Sequence, residues 1–227
     1  MSLSILFKKT RYAALLCLVW VLAATTANAQ NPKNYYIEEP RTFYGGFLLG
    51  ANFTQVDGDS YAGYRNVGLN AGVIAYAQLA PKVAASLELL FSQKGARSNG
   101  PQPSSSKAFL ITKQNITLNY AEIPIQINYF DKRKSHFGAG LSYSRLVGSK
   151  ETIQTSPDQH YDADKYPFKK SDLNFIIGGQ LHLSGGFFAG LRFQYSVLSI
   201  RDDVNGEFGR SEQFNNMFAL RLMYLFQ

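Results

Sequence analysis

From residue 43 onward, apolar and polar residues alternate with a period of two. The clearest run is residues 187–198. Phe187, Ala189, Leu191, Phe193, Tyr195 and Val197 fall on one face, and Phe188, Gly190, Arg192, Gln194 and Ser196 on the other. Residues 121–130 repeat it, with Ala121, Ile123, Ile125, Ile127 and Tyr129 against Glu122, Pro124, Gln126 and Asn128. The C-terminus does so again, with Phe218, Leu220, Leu222, Tyr224 and Phe226 opposite Ala219, Arg221, Met223 and Leu225. Successive side chains of a strand point to opposite faces, so each run predicts a β-strand with one apolar side. Residues 43–53, 67–79, 83–94, 136–146 and 173–183 follow the pattern less cleanly. Together the segments predict about eight strands of about ten residues, the number and length of a small membrane barrel.

The connections alternate in length. Residues 79–83, 131–135 and 184–186 are tight turns, whereas 57–66, 95–113, 148–172 and 201–213 are longer polar links. Outer-membrane barrels have this asymmetry, with short periplasmic turns and long outer loops. A soluble eight-stranded barrel of the lipocalin kind shares the parity, and the polar face separates the two. Here that face reads Gly, Ser, Asn and Gln with few charges, and lysine sits almost wholly in turns and loops. Small polar residues suit a narrow lumen filled by side chains.

The N-terminus sets the compartment. Lys8, Lys9 and Arg11 precede an apolar run from Tyr12 to Ala24, and Ala27-Asn28-Ala29 supplies the small-x-small pattern read by signal peptidase. The run is too short for a spanning helix, so cleavage between Ala29 and Gln30 is expected. Cys17 lies in mid-run without the small residue that lipoprotein processing needs before its cysteine. It is the single cysteine, so the exported part has no disulfide, thiol nucleophile or cysteine-based metal site. The formal charge is +7, and removing Lys8, Lys9 and Arg11 leaves +4, too mild an excess to indicate nucleic acid. An exported membrane chain without a spanning helix must close into a barrel, because hydrocarbon offers no partner to an open sheet edge. The expected fold is therefore all-β: a signal peptide at 1–29, a short periplasmic segment at 30–42, and an eight-stranded antiparallel transmembrane β-barrel at 43–227. The expected location is the bacterial outer membrane, with its lipid and the barrel-assembly machinery as partners.

Three stretches are similar to the PorT-like outer-membrane barrels of Bacteroidetes. Gly50 to Asp59 (GANFTQVDGD), followed by Gly68 to Gly72 (GLNAG), looks like that family's opening hairpin. The element Tyr120-x-Glu122-Ile123-Pro124 resembles its central strand signature, and the terminal MYLFQ, with Tyr224 and Phe226, resembles a barrel-assembly signal. The resemblance implies location and fold more than activity. Some members are accessory parts of type IX protein secretion, so secretion subunits are implied partners, and no catalytic residue or cofactor carries over.

Glu88, Glu122, Arg192 and Arg221 share the polar parity of their strands and are expected in the lumen. Buried charges are costly unless paired, so a hydrogen-bonded network that plugs the barrel is expected. A charge-lined pore is the weaker reading, since water-filled channels need many more strands. Glu88 and Glu122 as a hydrolytic acid–base pair is weaker still, because two arginines on the same face would keep both ionised. His136, His160 and His182 lack zinc-ligand spacing. Asp57-Gly58-Asp59 and the trio Asp158, Asp162 and Asp164 match no calcium loop and suit turns. Residues 95–107 read as a flexible contact surface, and Asn115-Ile116-Thr117 matches a glycosylation pattern by chance. A non-enzymatic structural or assembly component is expected first, a surface binding protein using the long loops second, and an outer-membrane enzyme third.

Overall fold

The computed structural model describes residues 42–59, 63–98, 100–159, 161–162, 165–204, 206 and 208–226. The expected signal peptide, its Ala29–Gln30 cleavage point, the segment up to residue 41, His160 and Asp164 lie outside them. Among the described residues there are nine strands: β1 (Phe43–Asp59), β2 (Asn66–Ala80), β3 (Val83–Arg97), β4 (Gln102–Pro103), β5 (Leu110–Phe130), β6 (His136–Ser156), β7 (Ser171–Ser184), β8 (Phe187–Ser196) and β9 (Gly209–Leu225). The two-residue β4 lies against Leu110 and Ile111. The other eight pair antiparallel with their neighbours, and the β1–β9 and β3–β5 pairings close them into a ring. Closure leaves no unpaired edge among these eight strands.

The barrel is inside-out relative to a water-soluble protein. Leu49, Leu181 and Leu222 are each at least 60 % exposed, whereas Lys94, Glu122, Arg192 and Arg221 are at most 2 % exposed. Soluble proteins bury the first kind of residue and solvate the second. On β9 the outward side is apolar from Phe218 to Phe226 and becomes polar at Asn216. A strand of that length, tilted as barrel strands are, covers the roughly 25 Å apolar band that hydrocarbon requires. The outward aromatics Tyr129, Phe137, Phe187, Tyr224 and Phe226 gather near the turn end of the band.

The three tight turns lie at one end. In 131–135 the Asp131 carboxylate accepts the Arg133 backbone N–H at 2.8 Å, and Asp131 N donates to Ser135 O at 2.8 Å. In the β7–β8 turn Gly185 has φ +54°, and a Cβ on Gly186 would stand 2.2 Å from the Leu225 carbonyl oxygen. Both positions therefore need glycine.

At the loop end the strands run further than the alternation predicts. β5 begins at Leu110 rather than 121, β6 continues to Ser156 rather than 146, β1 reaches Asp59, and β9 begins at Gly209. The reason is that the two faces exchange polarity while the strand keeps its parity. Below the transition, Ala121, Ile123 and Ile125 face out. Above it, Asn119, Thr117, Asn115 and Lys113 face out, and Tyr120, Leu118 and Ile116 are fully buried inside. The strand continues, but outside hydrocarbon its solvent face must be polar. The stretch 95–107, expected to be flexible, is also organised. It holds the end of β3 and all of β4, and Ser104 N donates to Phe109 O at 2.9 Å.

Candidate functional site

The lumen is filled in layers. At the turn end, Leu48, Ile74, Tyr76, Phe188, Met223 and Leu225 form an apolar plug. His136 belongs to it: its Nε2 lies 2.9 Å from the Tyr76 hydroxyl, and its ring stacks on Phe130.

Above the plug lies a cationic layer. Arg192 donates to Glu88 through Nη1 at 3.0 Å and Nη2 at 2.5 Å, and Arg221 Nη2 adds a third bond at 2.9 Å. Gln126 Nε2 donates to the same carboxylate at 3.2 Å. Strand register makes room for the guanidiniums. The partners of Arg221 are Gly50 on β1 and Gly190 on β8, and those of Arg192 are Gly178 and Ala219. The β3–β5 ladder runs to Leu87↔Ile125 and resumes at Leu90↔Glu122. The gap falls opposite Pro124, which has no N–H to give.

A second layer follows: Glu122 pairs with Leu90, two residues beyond Glu88 on β3, and Lys94 stands six residues beyond Glu88 on the same strand. Lys94 Nζ lies 2.6 Å from Glu122 Oε1 and 3.5 Å from Asp172 Oδ2, with the Tyr120 ring centroid at 4.9 Å. Glu122 Oε1 also accepts from Ser144 at 2.7 Å and Gln194 at 3.0 Å, and Asp172 Oδ2 accepts from Asn215 at 2.9 Å. The first layer holds two cations and one anion, the second one cation and two anions. Each carries one uncompensated charge, of opposite sign, and together they are neutral.

Beyond these, Val56, Ala96, Ile116, Leu118 and Ile200 form another apolar layer. Over it Arg201 pairs with Glu151 at 2.6 Å and lies on the Phe168 ring, 3.7 Å from its centroid. The Tyr161 hydroxyl donates to Glu151 at 3.2 Å; burial and that carboxylate raise it above the ordinary tyrosine range, so it stays protonated. Ile111, Phe109, Ile153 and Phe208 pack beside Tyr161. At the rim, Asp202 accepts from Lys169 at 2.6 Å and from Ser199, which hold it below the usual carboxylate range.

The structure thus brings together three of the four expected lumen charges, Glu88, Arg192 and Arg221, and places Glu122 in a separate layer. Lys94 and Asp172 were not expected there. Lys94 sits at the end of a predicted strand and Asp172 at the end of a predicted loop, yet Lys94 shares the parity of Glu88, and Asp172 that of Asn174. Of the element Tyr120-x-Glu122-Ile123-Pro124, Tyr120, Glu122 and Pro124 face in and Ile123 faces out. Tyr224 and Phe226 face out, Phe226 in edge contact with Phe47 at 5.2 Å. Asp57 accepts from Gln55 at 2.7 Å and Asn216 at 3.1 Å, and Asp162 lies 4.0 Å from Lys165. Asp158 is exposed, Asn115 and Thr117 face out, and His182 Nε2 lies 2.8 Å from Gly185 O. Among the described residues no three His, Cys, Asp or Glu side chains form a group that could hold a metal.

A family model described as outer membrane protein beta-barrel domain matches residues 28–202. No protein of curated function matches the sequence. Among solved structures, the chain is similar to Ail, the attachment invasion locus protein of Yersinia pestis, at 11 % identity, covering 82 % of this chain and 100 % of that one with a TM-score of 0.42. It is also similar to Neisserial surface protein A (14 % identity, 81 % and 97 % covered, TM-score 0.40) and to OprG of Pseudomonas aeruginosa (12 %, 82 % and 94 %, 0.39).

Proposed function

Because the chain belongs to the family of outer-membrane protein β-barrel domains, we propose that it is a non-enzymatic, non-conducting barrel that works through its surfaces as an accessory part of a larger assembly. The assembly suggested by the PorT-like element Tyr120-x-Glu122-Ile123-Pro124 is the type IX secretion machinery of Bacteroidetes. The observation that carries the reading is the lumen, whose two charged layers are at most 2 % exposed and lie between apolar layers. A filled lumen leaves the outer wall and the two ends as working surfaces. Glu88 and Glu122 are each tied to cations, which speaks against their use as an acid–base pair.

Native-gel separation with mass spectrometry, on tagged protein extracted gently from its own membrane, tests the assembly role. Co-migration with secretion subunits is expected; migration as a lone barrel refutes it. In planar bilayers the purified barrel is expected to give no discrete conductance steps.

A second reading is favoured by the loop end. β5 and β6 each run 21 residues, well beyond the apolar band, and carry a packed cap. Such a projection suits a surface binding protein. Replacing residues 157–170 with a short turn would then abolish partner binding while sparing the folded barrel.

A further inference from the structure

In outer-membrane barrels the long loops face outward, so the polar extensions of β3, β5 and β6 stand over the outer leaflet. Their outward face is basic. Arg97, Lys113, Arg145 and Lys150 are all exposed there, and none lies within ion-pair distance of a carboxylate among the described residues. The acids on these strands, Glu88, Glu122 and Glu151, all point inward and are bound to lumen cations. Asp57, a rim acid, stands across the barrel on β1.

Register gathers the outward residues into a site. Thr117 faces Lys150, Asn115 faces Thr152, and Arg97 flanks Asn115 from β3. Lys113, Asn115, Thr117, Lys150 and Thr152 line a shallow hollow of about 390 Å³ with two ammoniums, an amide, two hydroxyls and no carboxylate. That is donor chemistry for an anion.

Height selects the source of the anion. The last outward apolar residues below are Ala121 on β5 and, at the bulge beside Asn119 and Tyr120, Val147 on β6. Arg145 follows Tyr143 by two residues, at the edge of the band. From the level of Val147, the hollow's β5 residues Thr117, Asn115 and Lys113 stand two to six residues further up, which at the rise and tilt of barrel strands is roughly 5–15 Å above hydrocarbon, with Asn115 at roughly 10 Å. Phospholipid headgroups extend only about 5–8 Å from hydrocarbon. The hollow, from Asn115 upward, therefore lies in the sugar zone of an outer-leaflet glycolipid. We propose that this face binds the acidic inner sugars of lipopolysaccharide, with Arg145 against phosphates at the hydrocarbon edge and the Lys113–Lys150 hollow seating a phosphate or carboxylate on the sugars.

The test titrates the folded full-length barrel, in neutral detergent, with purified lipopolysaccharide. It compares Lys113→Gln/Lys150→Gln with Lys132→Gln/Arg133→Gln, an equal loss of charge in the turn at the opposite end. Faster migration on an unheated gel shows that each variant is folded. The hollow variant is expected to bind about tenfold more weakly, the worth of two solvent-edge ion contacts, with the turn variant unchanged. Chemically dephosphorylated lipopolysaccharide is expected to bind more weakly than the intact glycolipid. Equal binding by the wild type and the hollow variant would overturn the proposal. So would phosphatidylglycerol vesicles binding as tightly as lipopolysaccharide, which would make the surface a general lipid contact. Inorganic phosphate saturating the site at the same concentration would reduce it to a free-anion site and likewise overturn it.

Discussion

Glu88 is the residue whose loss should cost the barrel most. It receives three charge-assisted bonds, at 3.0 and 2.5 Å from Arg192 and 2.9 Å from Arg221, and all three side chains are at most 2 % exposed. Breaking a buried pair by removing one partner costs about 3–5 kcal/mol, because the other charge stays desolvated. Glu88→Gln strands two guanidiniums at once, so a loss at or above the top of that range is expected. Arg221→Met behaves differently. It removes one bond and leaves Glu88 held by both arms of Arg192, with the layer now neutral. The expected loss is about 1.5–3 kcal/mol, the net worth of one hydrogen bond to a charged group. Arg192→Met should fall between them, since Arg221 remains to pair with Glu88. Replacing all three with apolar residues of similar volume should recover most of the stability lost by Glu88→Gln. Urea unfolding in lipid vesicles, followed by circular dichroism and by gel mobility without heating, measures each variant. If Arg221→Met proves as destabilising as Glu88→Gln, the layer is not organised around Glu88 and the reasoning fails.

Lys94→Met leaves Glu122 and Asp172 facing each other without a cation and should cost about 3–5 kcal/mol in the same unfolding experiment; adding Glu122→Gln should restore part of it. Gly50→Ala would set a Cβ 2.3 Å from the Leu220 carbonyl oxygen and force the closing β1–β9 seam apart, with an expected loss of about 1–3 kcal/mol. Gly190→Ala should be milder although its Cβ would fall 1.8 Å from Gln180 Oε1, because that amide is the movable end of a side chain. Phe226→Ala removes the outward aromatic at the chain's end; the proportion of folded barrel recovered from cells should drop while the unfolding midpoint of the folded fraction changes little.

Where hydrocarbon meets the wall, the fold was legible because one physical rule governs every strand. Residues 121–128 and 218–222 alternate without exception, since lipid demands an apolar outward side chain and the narrow lumen there takes a small or polar one; the inward Phe130, Met223 and Leu225 that follow belong to the apolar plug. The rule lapses outside the membrane. From Tyr120 back to Lys113 the outward residues are polar and the inward ones, Gln114 apart, apolar, as in a soluble sheet, so a search for outward apolar residues ends β5 at Ala121. The alternation itself continues, its phase shifted by a bulge at Val147 on β6 and by another near Thr112 on β5. A reading that allowed its sign to change would follow β5 to Leu110 and β6 to Ser156, and would find the organised cap instead of two long links.

The same extension locates the second charged layer. From Glu88, inward parity along β3 passes through Leu90 and Ser92 to Lys94, and from Asn174 one step of two along β7 reaches Asp172. Parity names both residues as lumen-facing. Which charges meet is another matter. Glu88 lies far from Arg192 and Arg221 in sequence, and Lys94 meets Asp172 only because ring closure through β5 and β6 brings β7 within reach of β3 across the lumen. Charge balance narrows the choice. Glu88, Glu122, Arg192 and Arg221 alone already sum to zero, so their tally gives no reason to look for Lys94 or Asp172. A lumen that admits Lys94 must also admit an acid, because an unpaired buried ammonium would be too costly to retain. Asp172, the acid at inward parity on β7, supplies it.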